Sequence, residues 1–360
     1  SERAQFIARN RRLKSPLRAE ASCALIRRVS RHDAISRQRW TLPTWSVRLK
    51  AHAPMKAESL NRRTFFKQSA AFAGGAVLLP LAAPGSTTRA AAVKRTAADQ
   101  VALGRTGITL SRLGIGTGSN SGKVQRDLGQ QAFDRLIRYA YDKGITYIDA
   151  AQSYQTFEWI GGAIKGLPRE RLFIQSKIPG QPEDVLDAID RHRKAFDTDY
   201  IDSMLIHCMV KPGWTDPFKR VMEGFDQAKE KKWIRARGVS CHSLPALQTA
   251  TASDWTDVHL VRLNPQGASM DTPEETWNAR SDASHVPDVV SEIKEMRRRG
   301  HGVIGMKLIG DGAFRTPEER EKSIGYVMGS GLCDAVVIGF KSTSEIDEAI
   351  ERIDRALAQV

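Results

Sequence analysis

Four residues stand where short apolar runs give way to polar text. Asp149 and Tyr154 lie in I-D-A-A-Q-S-Y, Lys177 closes L-F-I-Q-S-K, and His207 closes L-I-H. Singly, each has an ordinary reading: a cap, rim packing, a surface charge, a satisfied core histidine. Together they can reduce a carbonyl. A tyrosine hydroxyl can hand its proton to an alkoxide as hydride arrives, although its ordinary pKa of about 10 is high for neutral water. An adjacent ammonium favours the phenolate, and a carboxylate can hold that ammonium in place. A neutral imidazole can donate to the carbonyl oxygen and orient it.

Such a set needs a scaffold that brings four distant segments to one place. Short apolar runs at 113–116, 146–149, 172–176, 201–206, 236–240, 258–263, 302–306 and 335–338 predict eight strands. Because the runs are continuous, both faces of each strand are expected to be buried, as in a parallel sheet covered by helices. Between the runs, apolar residues recur at helical spacing. The clearest stripes are Phe133, Leu136, Ile137, Ala140 and Tyr141, stopped by Gly144, and Val289, Val290, Ile293 and Met296, stopped by Gly300. Three others are Val185, Leu186, Ile189 and Phe196; Phe218, Val221, Met222, Phe225 and Ala228; and Ile346, Ile350, Ile353 and Leu357, the last with Ser344 as the expected cap. Eight strand–helix units in about 250 residues fit a (β/α)₈ barrel. A doubly wound sheet would need a GxGxxG turn after its first strand and an acidic residue about 20 positions on. G-I-G-T-G at 114–118 lacks that layout. The opening V-A-L-G-R-T-G-I-T-L-S reads as a small β-hairpin placed to close the bottom of the barrel. In this fold chemistry belongs at the C-terminal strand ends, where the four polar residues fall.

The charge is lopsided. Of 360 residues with a formal charge of +14, residues 1–92 carry 18 Lys+Arg against 4 Asp+Glu, leaving 37 of each sign for the remainder. A neutral body argues against the nucleic-acid binding that a basic total would suggest. Residues 1–54 are either a basic, disordered arm or sequence upstream of a true start at Met55. From there the chain has a signal-peptide layout. A basic stretch, N-R-R-T-F-F-K, is followed by a mild apolar run over 70–83 and then by Ala90-Ala91-Ala92. Arg62-Arg63 before Phe65-Phe66-Lys67 resembles the twin-arginine motif, which implies export of the folded protein to the periplasm by the twin-arginine machinery. Residues 93–360 would then be the barrel. The apolar run is too short and mild for a permanent membrane anchor. Cys208, Cys241 and Cys333 are widely spaced and odd in number, so neither a disulfide framework nor a metal cluster is expected. The two thiols beside His207 and Ser240 read as buried and inert.

The segments around Asp149, Tyr154, Lys177 and His207 resemble the signature tetrad of the aldo/keto reductase family. The resemblance extends over most of residues 101–360, including L-G-R-T-G (103–107), G-V-S (238–240), G-V-I-G-M-K (302–307) and V-I-G-F-K-S (337–342). It implies Tyr154 as general acid/base, Lys177 and Asp149 as its tuning pair, His207 as the substrate-orienting residue, and hydride from a nicotinamide cofactor. It also implies a cofactor site at Ser240, Cys241, Asn264, Met306, Lys307, Gly339, Lys341, Ser342 and Thr343. Three positions depart from the family pattern: Cys241 stands for the usual Asn, Leu260 for the usual Gln, and Met306 for an aromatic that stacks on the nicotinamide. The usual NADP-binding Arg is absent from 341–347, and Glu345 and Asp347 oppose a phosphate there. Lys341, Ser342 and Thr343 tip the expectation to NADP(H) over NAD(H). On the substrate side, Trp159, Met209, Trp214 and Trp277 are the candidates, with the polar segment 265–285 either a lid or a surface excursion. The expected substrate is a small aldehyde, ketone or sugar carbonyl, or the corresponding alcohol. The alternative reading is a nucleotide-binding barrel with a structural or sensor role.

Overall fold

The computed structural model describes residues 94–360, within the compact unit Thr87–Val360. The predicted basic arm 1–54 and signal segment 55–92 lie outside the described residues. Eight parallel strands close into a barrel: β3 (Leu113–Gly116), β4 (Tyr147–Asp149), β5 (Phe173–Pro179), β6 (Ile201–Met209), β7 (Ile234–Cys241), β8 (Val258–Arg262), β9 (Gly302–Met306) and β10 (Ala335–Gly339), which pairs back with β3. The strands fall on the eight expected runs, and four (β5, β6, β7 and β10) extend beyond them. Lys177 therefore lies inside β5 and His207 inside β6, rather than just after them.

Each strand is wrapped by helix: α1 (Lys123–Arg126) and α2 (Gln130–Asp142) after β3, α3 (Phe157–Ile164) after β4, α4 (Val185–Ala195) after β5, α5 (Lys219–Glu230) after β6, α6 (Leu244–Ala252) after β7, α7 (Val286–Arg298) after β8, α8 (Pro317–Ser330) after β9 and α9 (Thr343–Leu357) after β10. Polar caps begin several of them. The hydroxyl of Thr316 accepts from Glu319 N, Glu319 reaches back to Thr316 N, and Pro317 supplies a fixed φ at the first turn; such a box satisfies two of the four donors that a helix start leaves free. On α9 the cap is Ser342, accepting from Glu345 N, and not Ser344, which lies within the helix.

Two apolar layers result. Outward-facing strand residues and the inner helix faces form a continuous shell that includes Ile115, Phe133, Ile174, Phe225, Val261 and Ile353. Inward-facing residues fill the barrel itself, among them Tyr147, Phe173, Leu205, Leu260, Ile304 and Val337. Tyr147 and Phe173 meet edge to face at 5.0 Å. At Gly114 any Cβ would fall 2.1 Å from the Tyr147 ring, so glycine there makes room for the large side chain opposite. The antiparallel hairpin of β1 (Gln100–Ala102) and β2 (Thr109–Ser111) pushes Leu103, Ile108 and Leu110 into the N-terminal end of this interior. With the bottom plugged and the middle filled, polar groups are left to the top.

Candidate active site

Alternation along a strand puts every second side chain inside the barrel. At the upper ends that phase selects Asp149 on β4, Gln175 and Lys177 on β5, His207 on β6, Ser240 on β7, and Arg262 on β8. Lys177 is buried, and its Nζ donates to both Asp149 carboxylate oxygens at 2.7 and 2.8 Å and to the Ala150 carbonyl at 2.8 Å. It also donates to the Tyr154 hydroxyl at 3.5 Å. Tyr154 reaches this point from a 3₁₀ turn (Gln152–Tyr154) after β4, its carbonyl held by Arg126. Gly118 makes its place: a Cβ there would lie 2.4 Å from the Tyr154 ring. The imidazole of His207 stands edge-on to that ring at 5.6 Å, with Ser153 Oγ 3.5 Å from its Nδ1. The four residues expected to act together are thus brought together.

The electrostatics differ from the expectation. Burial, then the Asp149 charge, pushes the Tyr154 phenol well above its ordinary value. Because Asp149 compensates Lys177, the pair presents little net positive charge to the phenol, which stays protonated and ready to donate. Burial pulls Lys177 down, and its contacts with Asp149 pull it back up. Burial, with the Lys177 ammonium beside it, pushes His207 down to about 3, so the imidazole is neutral.

Beyond the four lies a polar set that the sequence reading passed over. Gln175 donates to Asp149 at 2.8 Å and to the Tyr147 hydroxyl at 2.9 Å, bracing the carboxylate from below. Arg262 is buried at the upper end of β8 and hydrogen-bonds His242 Nδ1 and the Trp277 carbonyl. Its Nε lies 3.5 Å from Asp271 without a hydrogen bond between them. Burial pushes the Asp271 carboxyl up to about 7.

A cleft of about 510 Å³ runs from Tyr154 and Met306 over Gly339 to Lys341, Arg320 and Arg352. Its floor is glycine where a neighbouring side chain crowds in: a Cβ at Gly339 would fall 2.0 Å from Ser119 Oγ. A narrow groove with a phenol at one end and cations at the other suits a long anionic ligand such as a nicotinamide dinucleotide.

Several expected cofactor contacts are placed otherwise. Met306, Lys307, Gly339 and Lys341 line the cleft. Ser240 accepts from Cys208 N at 3.0 Å and keeps its own proton to donate. Cys241 belongs to the outer shell, its thiol pointing to the Ala246 carbonyl, and burial raises its pKa well above the ordinary value. Asn264 spends its amide on Ala268 and Lys307 backbone groups, knotting the loop after β8. The Ser342 hydroxyl is the α9 cap, Thr343 is the first residue of that helix, and the Lys341 amide is taken by Glu345. The strong cations are instead Arg320 and Arg352, contributed by α8 and α9. Both bond Glu348 Oε1, at 2.7 and 3.0 Å. No motif at 341–347 revealed them, because one lies on the preceding helix and the other two turns into the next.

The substrate candidates also separate. Trp159 packs edge-on against Phe133 in the helix layer, Met209 belongs to the outer shell, and Trp214 is fully buried with its indole N–H on the Ala246 carbonyl. None of the three faces the mouth, since apolar bulk was better used between helices and strands. Trp277 is 61% exposed. Its segment is no loose excursion: Met270, Asp271 and Thr272 are buried under it, and Arg262 grips its backbone. Among the described residues no group of three or more His, Cys, Asp or Glu could hold a metal ion.

Residues 112–359 match the aldo/keto reductase family, and the chain belongs to it. It is 29% identical over 172 residues to the aldo-keto reductase YhdN of Bacillus subtilis, a match covering 43% of this chain and 50% of that protein. It is 28% identical over 167 residues to the NADH-specific methylglyoxal reductase of Escherichia coli, covering 39% and 51%. The chain spans about half the length of these curated relatives. Among solved structures, the aldo-keto reductase AKR11C1 of Bacillus halodurans (holo form) shares the fold at a TM-score of 0.56 and 16% identity, covering 72% of this chain and 95% of that one.

Proposed function

We propose that the protein is an NAD(P)(H)-dependent oxidoreductase that interconverts a small aldehyde, ketone or sugar carbonyl and its alcohol, with Tyr154 as the general acid/base. The observation that carries this reading is the relay at the cleft's inner end: Asp149 clamps Lys177, and the ammonium so held lies 3.5 Å from the Tyr154 hydroxyl. The cofactor, when bound, supplies or accepts the hydride. The chain's own groups do the rest. His207 is neutral, so it can donate to the substrate carbonyl without competing for the proton that Tyr154 delivers. The protonated Tyr154 gives that proton to the nascent alkoxide, and the Lys177 contact stabilises the phenolate left behind. Gly118 holds the tyrosine ring in position by offering no side chain against it.

NADP(H) is the proposed cofactor, supported by the guanidinium groups of Arg320 and Arg352 in the cleft. The relatives' names reach both sides of that choice, one being called NADH-specific and another, from Schizosaccharomyces pombe, NAD/NADP-dependent. We also propose that the Arg62-Arg63 segment directs export to the periplasm. Among the described residues no helix is long and apolar enough to cross a membrane.

One feature favours the alternative of a binding barrel. Neither Cys241, turned outward, nor the apolar Leu260 offers the amide that would hold a carboxamide. Tyr154→Phe decides between them. In the enzyme, reduction of aldehydes falls by about 10²–10⁴ while NADPH titration is little changed. Wild-type protein that binds the nucleotide yet turns over no aldehyde would remove the enzyme reading.

A further inference from the structure

The tetrad accounts for one oxygen of the substrate. The structure places a second imidazole beside it. His242 follows β7 on the same inward phase as Ser240, and its ring lies 6.3 Å from that of His207, the two planes at 81°. Its tautomer is fixed. Arginine can only donate, so the hydrogen bond between Arg262 and His242 Nδ1 makes that nitrogen an acceptor. The neutral ring must then carry its proton on Nε2. Burial and the Arg262 charge keep the ring neutral, holding its pKa well below the ordinary value, with His207, Lys307 and Lys177 acting in the same direction. Among the described residues Nε2 has no hydrogen-bond partner, and it is not sealed from solvent as the unpaired oxygens of Asp271 are. Arg262 is itself buried and is held by the Met270 carbonyl at 3.4 Å and the Trp277 carbonyl at 2.9 Å, with the buried Asp271 alongside. A charged side chain has thus been carried into the barrel end, where it orients a histidine whose Nε2–H has no partner among the described residues.

We propose that His242 is a specificity-determining residue of this site, donating from Nε2–H to a second oxygen on the carbon next to the reacting carbonyl, and that Arg262 is the positioning residue that fixes it. The substrate class is therefore hydroxyaldehydes and hydroxyketones, including sugars, in preference to plain aldehydes. Two neighbouring neutral imidazole donors match two neighbouring oxygens, one the carbonyl at His207 and the other the hydroxyl at His242. A plain aldehyde would leave the second donor unpaired, and a site built to bond a hydroxyl discriminates against the analogue lacking it. This assignment rests on the reductase reading above.

The test compares lactaldehyde with propanal, which differ only by that hydroxyl, using the full chain with NADPH and with NADH. Taking the ratio of kcat/KM for the two aldehydes cancels effects common to both. In His242→Leu that ratio should fall by about three- to tenfold relative to wild type, the loss of one neutral hydrogen bond, and it should fall mainly through KM for lactaldehyde. His242→Gln, which keeps an N–H donor of similar reach, should hold the ratio within about twofold of wild type. A ratio unchanged in the leucine variant, or parallel losses on both aldehydes, overturns the assignment while leaving the reductase reading in place. Wild-type protein inert toward both aldehydes with either nucleotide overturns the reductase reading and this one with it.

Discussion

Asp149→Asn removes the charge that keeps Lys177 ionised inside the barrel, and its cost should depend on pH in a defined way. Lys177 is 1% exposed. Burial pulls its ammonium down, while Coulomb attraction and hydrogen bonding to Asp149 pull it up. Breaking a buried pair by removing one partner costs about 3–5 kcal/mol. Lysine has an escape, because it can release its proton. From an ordinary value of about 10.4, doing so at pH 7 costs about 1.36 kcal/mol for each of about 3.4 units, a ceiling of about 4.6 kcal/mol. The variant should therefore be less stable than wild type by about 3–4.6 kcal/mol at pH 7. Lys177 in the variant has a folded pKa further below its unfolded value. Between those two values the unfolded chain binds one proton more than the folded chain, so the variant gains stability as pH rises. At pH 9 the ceiling falls to about 1.9 kcal/mol, and the deficit should shrink to about 2 kcal/mol or less. Urea unfolding of wild type and variant at both pH values, followed by tryptophan fluorescence, reads this directly from the midpoints. A deficit equal at pH 7 and pH 9, or below about 1 kcal/mol at pH 7, would refute the premise that Asp149 alone keeps Lys177 charged.

Two further outcomes are expected. Arg320→Ala and Arg352→Ala should each weaken NADPH binding by about tenfold and NADH binding by less than about twofold in a fluorescence titration, the low end for a charge-assisted bond because Glu348 already competes for both guanidiniums. Equal losses for the two nucleotides would reject NADP(H) as the intended cofactor. Replacing Arg62 and Arg63 together by Lys should leave the protein in the cytoplasmic fraction of a bacterial host, with wild type in the periplasmic one. Wild type confined to the cytoplasm would reject the export signal.

Much of the barrel was legible because parallel strands buried on both faces leave continuous apolar runs, and all eight stood out. The helices split by composition. Those with one wet face showed a clear period, as in α2 and α9. Others gave little pattern: α6, L-P-A-L-Q-T-A-T-A, presents small residues all round, and α3, F-E-W-I-G-G-A-I, is short and apolar. The aromatic side chains misled for a related reason. Tryptophan close to a strand end suggests a substrate wall, yet Trp159 and Trp214 contribute more area by filling the gap between helix and strand than by lining a polar mouth.

The strand-borne site residues that sequence reasoning missed share one cause, and the same cause explains one that it misplaced. Family motifs pick positions by neighbourhood, whereas the barrel sorts them by parity. Along β7, Ala236 faces inward with the barrel filling, and so do Ser240 and His242; Cys241, between them, must face the helices, and it does. No thiol at that position can reach a ligand inside the barrel mouth without a register shift that would turn the rest of the strand over. Along β8, Val258 and Leu260 face inward, and the next inward position is Arg262. Its charge at the inward end of the run V-H-L-V-R-L was the available signal, because a charged residue at an inward strand end persists only if something there holds it. Here His242, Asp271 and two carbonyls do so. The cost of burying that guanidinium is an argument for its purpose: an apolar residue would fill the same space more stably, so what Arg262 adds is the fixed orientation of the imidazole it holds.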